Sequence, residues 1–490
     1  MFGHFFGNEE GPLAIRRMSS RTSLVATTGF IVLSLSACHA ISGDDGFSDE
    51  EWKEIKRIEP LSTPRPDSLF NRMADDEELA RFGQALFFET DLAEPSRTDG
   101  PRAKIGEAGK FGCVTCHDTK YFTDSSMVIS QGGDRYEQHN SPTLTNVAYW
   151  DWYLWMGLFD SLFMHGNYGT GQEASPLGYA HYIYKKYKVE YERLFEPLPA
   201  ALADDSPEKD RFPPVGSPGP GIPGVPPTPY DTMTDADKVT IDKIRANVAR
   251  AFEAYPRRLI TRNSPFENYI HGDEQALSPE QKRGLRLFIG KAACTDCHNG
   301  PLLSDQKFHN IGIPTPFGQM PDTGRAGILF LQFIPPDLGP GTWNAFSGAG
   351  PYSDNPALGK DRLDALQARD CVQPVDPVKG CVARDELVGA FRTPTLLNIA
   401  ETAPYFHTGG AKTLEEVVRH YNQGGGAPGT FAGTKSARLR PLGLTNEEIS
   451  DLVAFLTSLT GEFAEPSFAG PPENPKPPLP PAMMPPSVNP

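Results

Sequence analysis

The sequence predicts a mainly α-helical fold with two similar domains and long Pro- and Gly-rich insertions. A Cys-x-x-Cys-His pentapeptide occurs twice, at 113–117 and at 294–298. Apolar residues recur at the three- and four-residue spacing of helices, for example across 79–87 and 241–252. No alternation of apolar and polar residues is long enough for a sheet. The 490 residues are enough for two or three domains with cores of their own.

Both pentapeptides have the pattern that attaches a c-type haem. Over one helical turn the two sulfurs reach opposite edges of the porphyrin and form thioethers, and the imidazole of the next residue binds the iron. The residues concerned are Cys113, Cys116 and His117, then Cys294, Cys297 and His298. A thioredoxin-like pair or half of a zinc site could explain one copy. Two copies favour one covalently bound haem in each domain.

The first domain is predicted at 67–196. It opens with the acidic run 75–78 followed by apolar residues at helical spacing, which is typical of a helix start. A loop over the first haem is predicted at 125–140, where helical periodicity is missing, and a tyrosine-rich helix is predicted at 179–195. Residues 197–238 are rich in proline and are predicted to be an extended linker without packed elements.

The second domain is predicted at 239–464. Helices are expected at 239–260, after Ser278-Pro279, at 414–421 and at 445–459, and Thr445 with Glu448 has the pattern of a capping box. Turn-rich residues 313–388 are predicted to form a large surface insertion. The Pro-rich tail 465–490 is predicted to be disordered.

The N-terminus has the pattern of a secretory signal. Three arginines, Arg16, Arg17 and Arg21, precede an apolar run at 24–35 that is too short for a comfortable membrane span. Small residues follow as a cleavage site that ends at Cys38, which resembles the acylated cysteine of a bacterial lipoprotein; plain secretion is the alternative. The sequence therefore predicts a signal peptide at 1–37, a tether at 38–66, and a periplasmic protein anchored to a membrane by lipid.

The remaining two cysteines, Cys371 and Cys381, lie ten residues apart in a loop. In an oxidising compartment they are expected to form a disulfide. The net charge of −16 argues against nucleic acid as a partner and is compatible with a basic small redox protein.

Six further segments resemble the bacterial dihaem cytochrome c peroxidase and MauG family: 82–88, 140–146, 264–266, 277–284, 308–312 and 402–407. The resemblance covers roughly 67–195 and 240–462 in the family's order. It implies two cytochrome c-like domains that face each other. It also implies a peroxide-reactive haem in the first domain and an electron-transfer haem in the second.

The resemblance raises the question of whether the first iron is open. In many of these peroxidases a histidine about sixteen residues after the first motif blocks the iron until reduction. Here Gly132-Gly133 occupies that place, and no histidine occurs between Asp118 and Gln138. The sequence predicts an iron bound by His117 alone, and binding by His139 or His165 is the alternative.

The family also implies the residues that act on peroxide. Its distal glutamate corresponds to Glu173, and His165 stands where a glutamine is common. A base is needed to move a proton between the two peroxide oxygens, and His165 is the alternative to Glu173 in that role. Trp155 aligns with the tryptophan between the haems. The family's Trp-Asp-Gly-Arg is changed here to Trp-Met-Gly-Leu at 155–158, which removes a charge pair and bears on donor specificity.

The second ligand of the second haem is predicted to be Tyr421, seventeen residues after Pro404. Cytochrome c peroxidases of the family have methionine at this position and MauG has tyrosine. A thioether raises the iron potential, whereas a phenolate stabilises oxidised iron once its pKa of about 10 is pulled down by ferric iron. Asn140, Thr402 and Pro404 match the family's calcium site, which offers the oxygen donors that calcium prefers.

The prediction is therefore a MauG-like peroxidase that reduces hydrogen peroxide at the first haem and shares oxidising equivalents with a His/Tyr-ligated second haem. Its electrons would come from a small redox protein or from a protein substrate. The alternatives are a conventional peroxidase with a small cytochrome c donor, and a dihaem electron carrier without peroxide turnover.

Overall fold

The computed structural model describes residues 46–60, 64–219, 226–316, 319–332, 345–375 and 380–472. The predicted signal peptide, Cys38 and most of the Pro-rich tail lie outside these residues. The described chain is mostly helical, as predicted. Its α-helices are α1 (Asp49–Arg57), α2 (Glu77–Phe87), α3 (Cys113–Cys116), α4 (Leu162–Glu173), α5 (Pro176–Lys186), α6 (Lys188–Leu194), α7 (Asp235–Ala254), α8 (Pro265–Ile270), α9 (Pro279–Ile289), α10 (Arg325–Gln332), α11 (Pro356–Asp370), α12 (Leu414–Asn422) and α13 (Asn446–Thr457).

The strands of the described residues are two residues long and form two antiparallel pairs. β1 (Thr261–Arg262) pairs with β4 (Glu462–Phe463), and β2 (Phe308–His309) pairs with β3 (Phe391–Arg392). They join segments that are distant in sequence and leave the core to helices.

The first half of the molecule is built around α7. This helix packs on α2, α4 and α5. At its crossing with α2 the backbones approach so closely that a Cβ added to Gly83 would lie 2.0 Å from the carbonyl oxygen of Ala251. The predicted boundary at 239 would assign this helix to the second domain, and its packing corrects that boundary. The helix lies far in sequence from its partners, so no local pattern indicates which half it completes.

The second half repeats this arrangement with α9 and α13. A Cβ added to Gly284 would lie 2.0 Å from the carbonyl oxygen of Asp451. Both helices begin with the predicted caps, Ser278 for α9 and Thr445 with Glu448 for α13, and Gln281 completes a capping box with Ser278. Each half therefore has one close helix crossing that is made possible by a glycine.

The predicted tether is ordered in part. Ser48 caps α1 through a capping box with Glu51, and Phe47, Ile55 and Ile58 are buried. Apolar residues at this spacing form one face, which packs on α9, and Arg286 of that helix donates to Glu51. The tether prediction is wrong for these residues, because they form a capped helix with a buried apolar face.

The Pro-rich segment also differs from the prediction. Leu198, Leu202 and Phe212 are buried, and both ring nitrogens of His181 on α5 lie 3.0–3.1 Å from carbonyl oxygens of this segment, those of Leu202 and Phe212. The segment therefore packs against the first half. Proline lowers helix content, but it does not prevent the apolar residues between prolines from being buried.

The 313–388 insertion carries α10 and α11 and a small core of its own. Leu329 and Leu366 are buried there against Trp152 and Phe308. The predicted disulfide between Cys371 and Cys381 is present. The predicted helix at 179–195 is divided at Tyr187 into α5 and α6. Among the described residues no helix is both long enough and apolar enough to cross a membrane.

Candidate active site: two cavities and the residues between them

The first cavity surrounds the first pentapeptide. It is lined by Cys113, Cys116 and His117. The Nδ1 atom of His117 lies 3.0 Å from the carbonyl oxygen of Phe122, a residue whose φ of 55° turns the chain back over the imidazole. A histidine whose Nδ1–H donates to a carbonyl presents Nε2 to a metal.

The second cavity repeats this geometry around the second pentapeptide. The Nδ1 atom of His298 lies 2.8 Å from the carbonyl oxygen of Leu303, which has a φ of 47°. Burial lowers the pKa of both histidines, so each imidazole is neutral near pH 7 and can bind iron through Nε2.

The residues present therefore fit a c-type haem in each cavity. A further sign is Arg392, which lines the second cavity and is 3 % exposed. Within the described ranges it makes no ion pair, and its guanidinium donates long hydrogen bonds, of 3.4 and 3.5 Å, to the carbonyl oxygens of Leu154 and Thr393. A buried cation needs an anion, and a carboxylate of a bound haem is of the right kind.

The first cavity contains the predicted acid and the glycine pair. Gly132 and Gly133 line it, together with Glu173 and His165. His139 also lines it, but its Nε2 lies 2.6 Å from a carboxylate oxygen of Asp322. Its hydrogen bond to the insertion competes with its use as an iron ligand.

Glu173 is a buried carboxyl group with defined partners. It is 8 % exposed, it accepts a hydrogen bond of 2.6 Å from the hydroxyl of Tyr179, and its other oxygen lies 3.3 Å from Sγ of Cys113. Burial raises its pKa to about 7, against the lowering effect of those two contacts. Burial lowers the pKa of His165 to about 3. Near neutral pH, Glu173 is therefore present in both its protonated and its ionised form, whereas His165 is a neutral imidazole that is hard to protonate.

Trp155 lies between the two cavities and lines both, as do Asn140, Ser141 and Pro142. Its indole Nε1 donates to the carbonyl oxygen of Asn140 at 2.7 Å. Its own carbonyl oxygen accepts from the amide of Arg392, also at 2.7 Å. The residue is thus tied to the loop of each half.

Trp150 is a second tryptophan at the second cavity, but its surroundings differ. The guanidinium of Arg392 lies 4.0 Å from its ring centroid, and its buried Nε1 has no hydrogen-bond partner among the described residues. A cation over the ring disfavours positive charge on that indole, whereas the carbonyl at Nε1 of Trp155 favours it. Trp155 is the easier of the two to oxidise.

Tyr421 on α12 lines the second cavity with His298. Burial raises the pKa of its hydroxyl, and the neighbouring cysteine sulfurs act in the same direction. The phenol is therefore neutral unless a metal ion displaces its proton. The fold brings Tyr421 to the cavity where the sequence predicts it.

The three predicted calcium ligands belong to the lining of one cavity. Asn140, Thr402 and Pro404 line the second cavity. The amide nitrogen of Asn140 donates to the carbonyl oxygen of Val128 at 3.1 Å, which directs its side-chain oxygen elsewhere and makes it available as a ligand. Carbonyl and amide oxygens are suitable donors for calcium.

An internal repeat that the sequence reading missed holds the two halves together. Residues 142–146 and 394–398 share the pattern Pro-Thr-Leu-x-Asn. Asn146 and Asn398 both have positive φ, and their side-chain amides both donate to the hydroxyl of Thr261 at 2.9 Å. Comparing the segments that follow each pentapeptide would have revealed this repeat, and with it Arg392, which occupies the position equivalent to Asn140.

Known proteins of one peroxidase family are similar to this chain. Residues 77–197 match the family model described as di-haem cytochrome c peroxidase. Cytochrome-c peroxidase IdrP2 of Pseudomonas sp. (strain SCT) is 31% identical over 391 residues, which cover 79% of this chain and 83% of that protein. Methylamine utilization protein MauG of Methylorubrum extorquens is 23% identical over 442 residues, 90% of this chain and 94% of that protein. The crystal structure of the diheme peroxidase BthA from Burkholderia thailandensis is similar in fold, with a TM-score of 0.51 at 18% identity, over 82% of this chain and 91% of that one.

Proposed function

The chain belongs to the di-haem cytochrome c peroxidase family and is an oxidoreductase that acts on hydrogen peroxide, and from this premise we propose that it is a peroxidase of the MauG-like type. Peroxide is reduced at the His117 haem, and the oxidising equivalents are shared through Trp155 with a haem bound by His298 and Tyr421. The observation that carries the proposal is the asymmetry of the cavities: a titratable carboxyl group faces the first, and a phenol lines the second.

A haem iron with one open position supplies the two-electron reduction of peroxide. The contribution of the chain at this site is proton transfer. Glu173 accepts the proton of one peroxide oxygen and returns it to the other, which leaves as water. Tyr179 holds the carboxylate by the 2.6 Å hydrogen bond, and the neutral His165 offers a polar edge without adding charge. Gly132 and Gly133 line this cavity without side chains and would leave room beside a bound haem.

The second site differs in what its second ligand stabilises. A phenolate from Tyr421 is a hard anion that favours oxidised iron over reduced iron. The apolar surroundings that raise the pKa of the free phenol also strengthen its attraction to a metal cation, because charges interact more strongly in a low dielectric. This haem would therefore store an oxidising equivalent instead of readily accepting an electron.

The charges at the openings bear on the electron donor. The lining of the first cavity includes no exposed residue among those described, which suits a small substrate such as peroxide. The lining of the second includes exposed Arg438, Arg440 and Asp296. No acidic residue occurs between Gln423 and Asn446. A donor that docks there is expected to carry an acidic face, contrary to the basic partner that net charge alone suggests.

A conventional peroxidase with a small cytochrome donor is the second candidate function. It is favoured by the protein-accessible opening of the second cavity and by the relatives named cytochrome-c peroxidase. Tyr421→Met separates the two. If the chain is a conventional peroxidase in which Tyr421 only slows electron transfer from a cytochrome donor, the variant gains rapid turnover with reduced cytochrome c. Under our proposal it instead loses the response of the second haem to peroxide.

The direct test adds one equivalent of peroxide to the diferric holoprotein and follows the absorption and EPR spectra of both haems. Our proposal expects a five-coordinate first haem at rest and changes at both haems after mixing. A resting six-coordinate bis-histidine first haem would contradict the open site. No spectral change on mixing would indicate a dihaem electron carrier.

We also propose a calcium ion at Asn140, Thr402 and Pro404, and a periplasmic protein with lipid on Cys38. The calcium proposal expects metal analysis to find calcium that a chelator removes, together with a changed EPR spectrum of the haems. The lipid proposal expects labelling by radioactive palmitate in the parent protein and none in Cys38→Ala.

A further inference from the structure

Arg325 is the largest side chain that is fully buried among the described residues, with 0 % of its surface exposed. It belongs to the 313–388 insertion and begins α10. Its Nη1 atom donates to the carbonyl oxygens of Met156 at 3.0 Å and of Gly157 at 2.8 Å. These are the two residues that follow Trp155. One nitrogen of the Arg325 guanidinium therefore binds the backbone directly after Trp155, the tryptophan that lines both cavities.

The guanidinium is itself held from a second point of the insertion. Its Nε donates to a carboxylate oxygen of Asp370 at 2.9 Å, and Asp370 is 2 % exposed. Asp370 ends α11 and directly precedes Cys371, which is bonded to Cys381. The start of α10 is also fixed, because the amide of Arg325 donates to the carbonyl oxygen of Ala390. The arginine is thus fixed by two helices and a disulfide loop.

The loop after Trp155 has little freedom to move alone. Gly157 has a φ of +66°, and a Cβ there would lie 2.4 Å from the ring of Phe308. Because Phe308 belongs to β2, which pairs with β3, the loop is packed against the same strands that lead to Arg392. The loop after Trp155 is therefore held by hydrogen bonds from Arg325 of the insertion and by packing against Phe308 of the second half.

The energetics favour a positional role for this pair. A buried ion pair seldom adds stability over well-packed apolar residues, whereas removing one partner costs about 3–5 kcal/mol. Each buried carbonyl left without a donor costs about 1–3 kcal/mol more. An arrangement that is costly to assemble and costly to break favours one geometry of the loop over others.

We propose that Arg325, held by Asp370, is a positioning residue for Trp155, and that the insertion serves to fix the tryptophan between the two haems. The proposal rests on the function proposed above for Trp155. It assigns a role to a segment none of whose described residues lines either cavity.

The test compares holoprotein variants. Arg325→Met removes the donors and keeps most of the side-chain length. Arg325→Lys keeps the charge but lacks the fork that reaches a carboxylate and two carbonyls together. Arg362→Met is the matched control, because Arg362 belongs to the same insertion and its guanidinium lies 5.6 Å from the Trp152 ring, yet it donates to Asp151 and not to the loop after Trp155.

Two measurements are made on each variant. Hydrogen–deuterium exchange of peptides covering 152–160 reports the loop, in which the amides of Tyr153 and Gly157 make backbone hydrogen bonds. Stopped-flow absorption after one equivalent of peroxide reports how fast the second haem responds relative to the first. Arg325→Met is expected to lose protection in this segment and to slow the second-haem response by about tenfold or more, with the first-haem rate unchanged. Arg325→Lys is expected to lie between this variant and the parent, and Arg362→Met to match the parent.

The outcomes separate this proposal from the proposed function. If the second haem of the parent protein does not respond to peroxide, the proposed function fails. Hydrogen–deuterium exchange at 152–160 then still tests whether Arg325 fixes the loop after Trp155. If the parent responds and Arg325→Met matches it in both measurements, the positioning role is wrong. Should Arg325→Met not fold, Asp370→Asn and Arg325→Lys provide the same comparison.

Discussion

In the first half of the molecule, His117 is oriented by the carbonyl oxygen of Phe122; in the second half, His298 is oriented by that of Leu303, five residues on in each case. Both carbonyl residues have positive φ. The helix crossings at Gly83 and Gly284 match as well. The backbone that would hold each haem is therefore the same.

The halves differ in the side chains that face these histidines across the cavities. Glu173 with Tyr179 serves the first cavity, and Tyr421 lines the second. Each lies at the C-terminal end of a helix: Glu173 ends α4, and Tyr421 lies near the end of α12. One scaffold used twice thus provides one site for proton transfer and one for holding charge.

The largest expected effect is confined to the first half. Glu173→Gln removes the proton acceptor and keeps the shape of the side chain, so the second-order rate of the first haem with peroxide should fall by about 10²–10⁴-fold. Stopped-flow mixing measures it. Glu137→Gln is the control, since this carboxyl group lines the same cavity, and it should change the rate by only a few-fold. Equal losses in both variants would point to charge, not proton transfer, as the cause.

The next effect concerns the path between the halves. Trp155→Phe removes the indole whose Nε1 donates to Asn140 and should slow the second-haem response by about 10²-fold. Trp150→Phe removes an indole that lies under Arg392 and should change this rate little. The ratio of second-haem to first-haem rates is the measurement. The reverse order would make Trp150 the conduit.

A smaller effect tests whether the two scaffolds are equivalent. Gly83→Ala and Gly284→Ala each introduce a Cβ at 2.0 Å from a backbone oxygen, and each should lower the free energy of unfolding by about 1–3 kcal/mol. Gly470→Ala is the control, because a Cβ there meets no atom within 4 Å. Denaturant unfolding of the holoprotein measures all three. A large loss in one half alone would break the equivalence.

The features of the two halves that depend on local patterns could be predicted from the sequence. The pentapeptides, the caps at Ser278 and Thr445 and the Cys371–Cys381 disulfide follow from residues that are neighbours or nearly so. The family resemblance added Glu173, Trp155 and Tyr421, which the fold brings to the cavities.

Features that depend on contacts between distant segments could not be read in this way. The assignment of α7 to the first half depends on the approach of Gly83 to Ala251, which no local pattern reveals. The contact of Arg325 with the loop after Trp155 also joins distant residues, and nothing in the sequence around 325 indicates it. The α1 helix does not depend on distant contacts in this way. Its apolar residues recur at helical spacing, which is a local pattern, although the prolines that follow favour a tether.

The smallest effect is a pH dependence that belongs to the first half alone. Burial raises the pKa of Glu173 to about 7. Below this value the group is protonated and cannot accept a proton, so the rate with peroxide should rise with pH through about 7. The hydroxyl of Tyr179 donates to the carboxylate and stabilises its ionised form, and Tyr179→Phe should therefore move the midpoint upward by about one pH unit. Stopped-flow rates across pH 5–9 test both expectations. A rate that falls as pH rises through this range would mean that the protonated carboxyl group is the active form, and the role of Glu173 would have to be reversed.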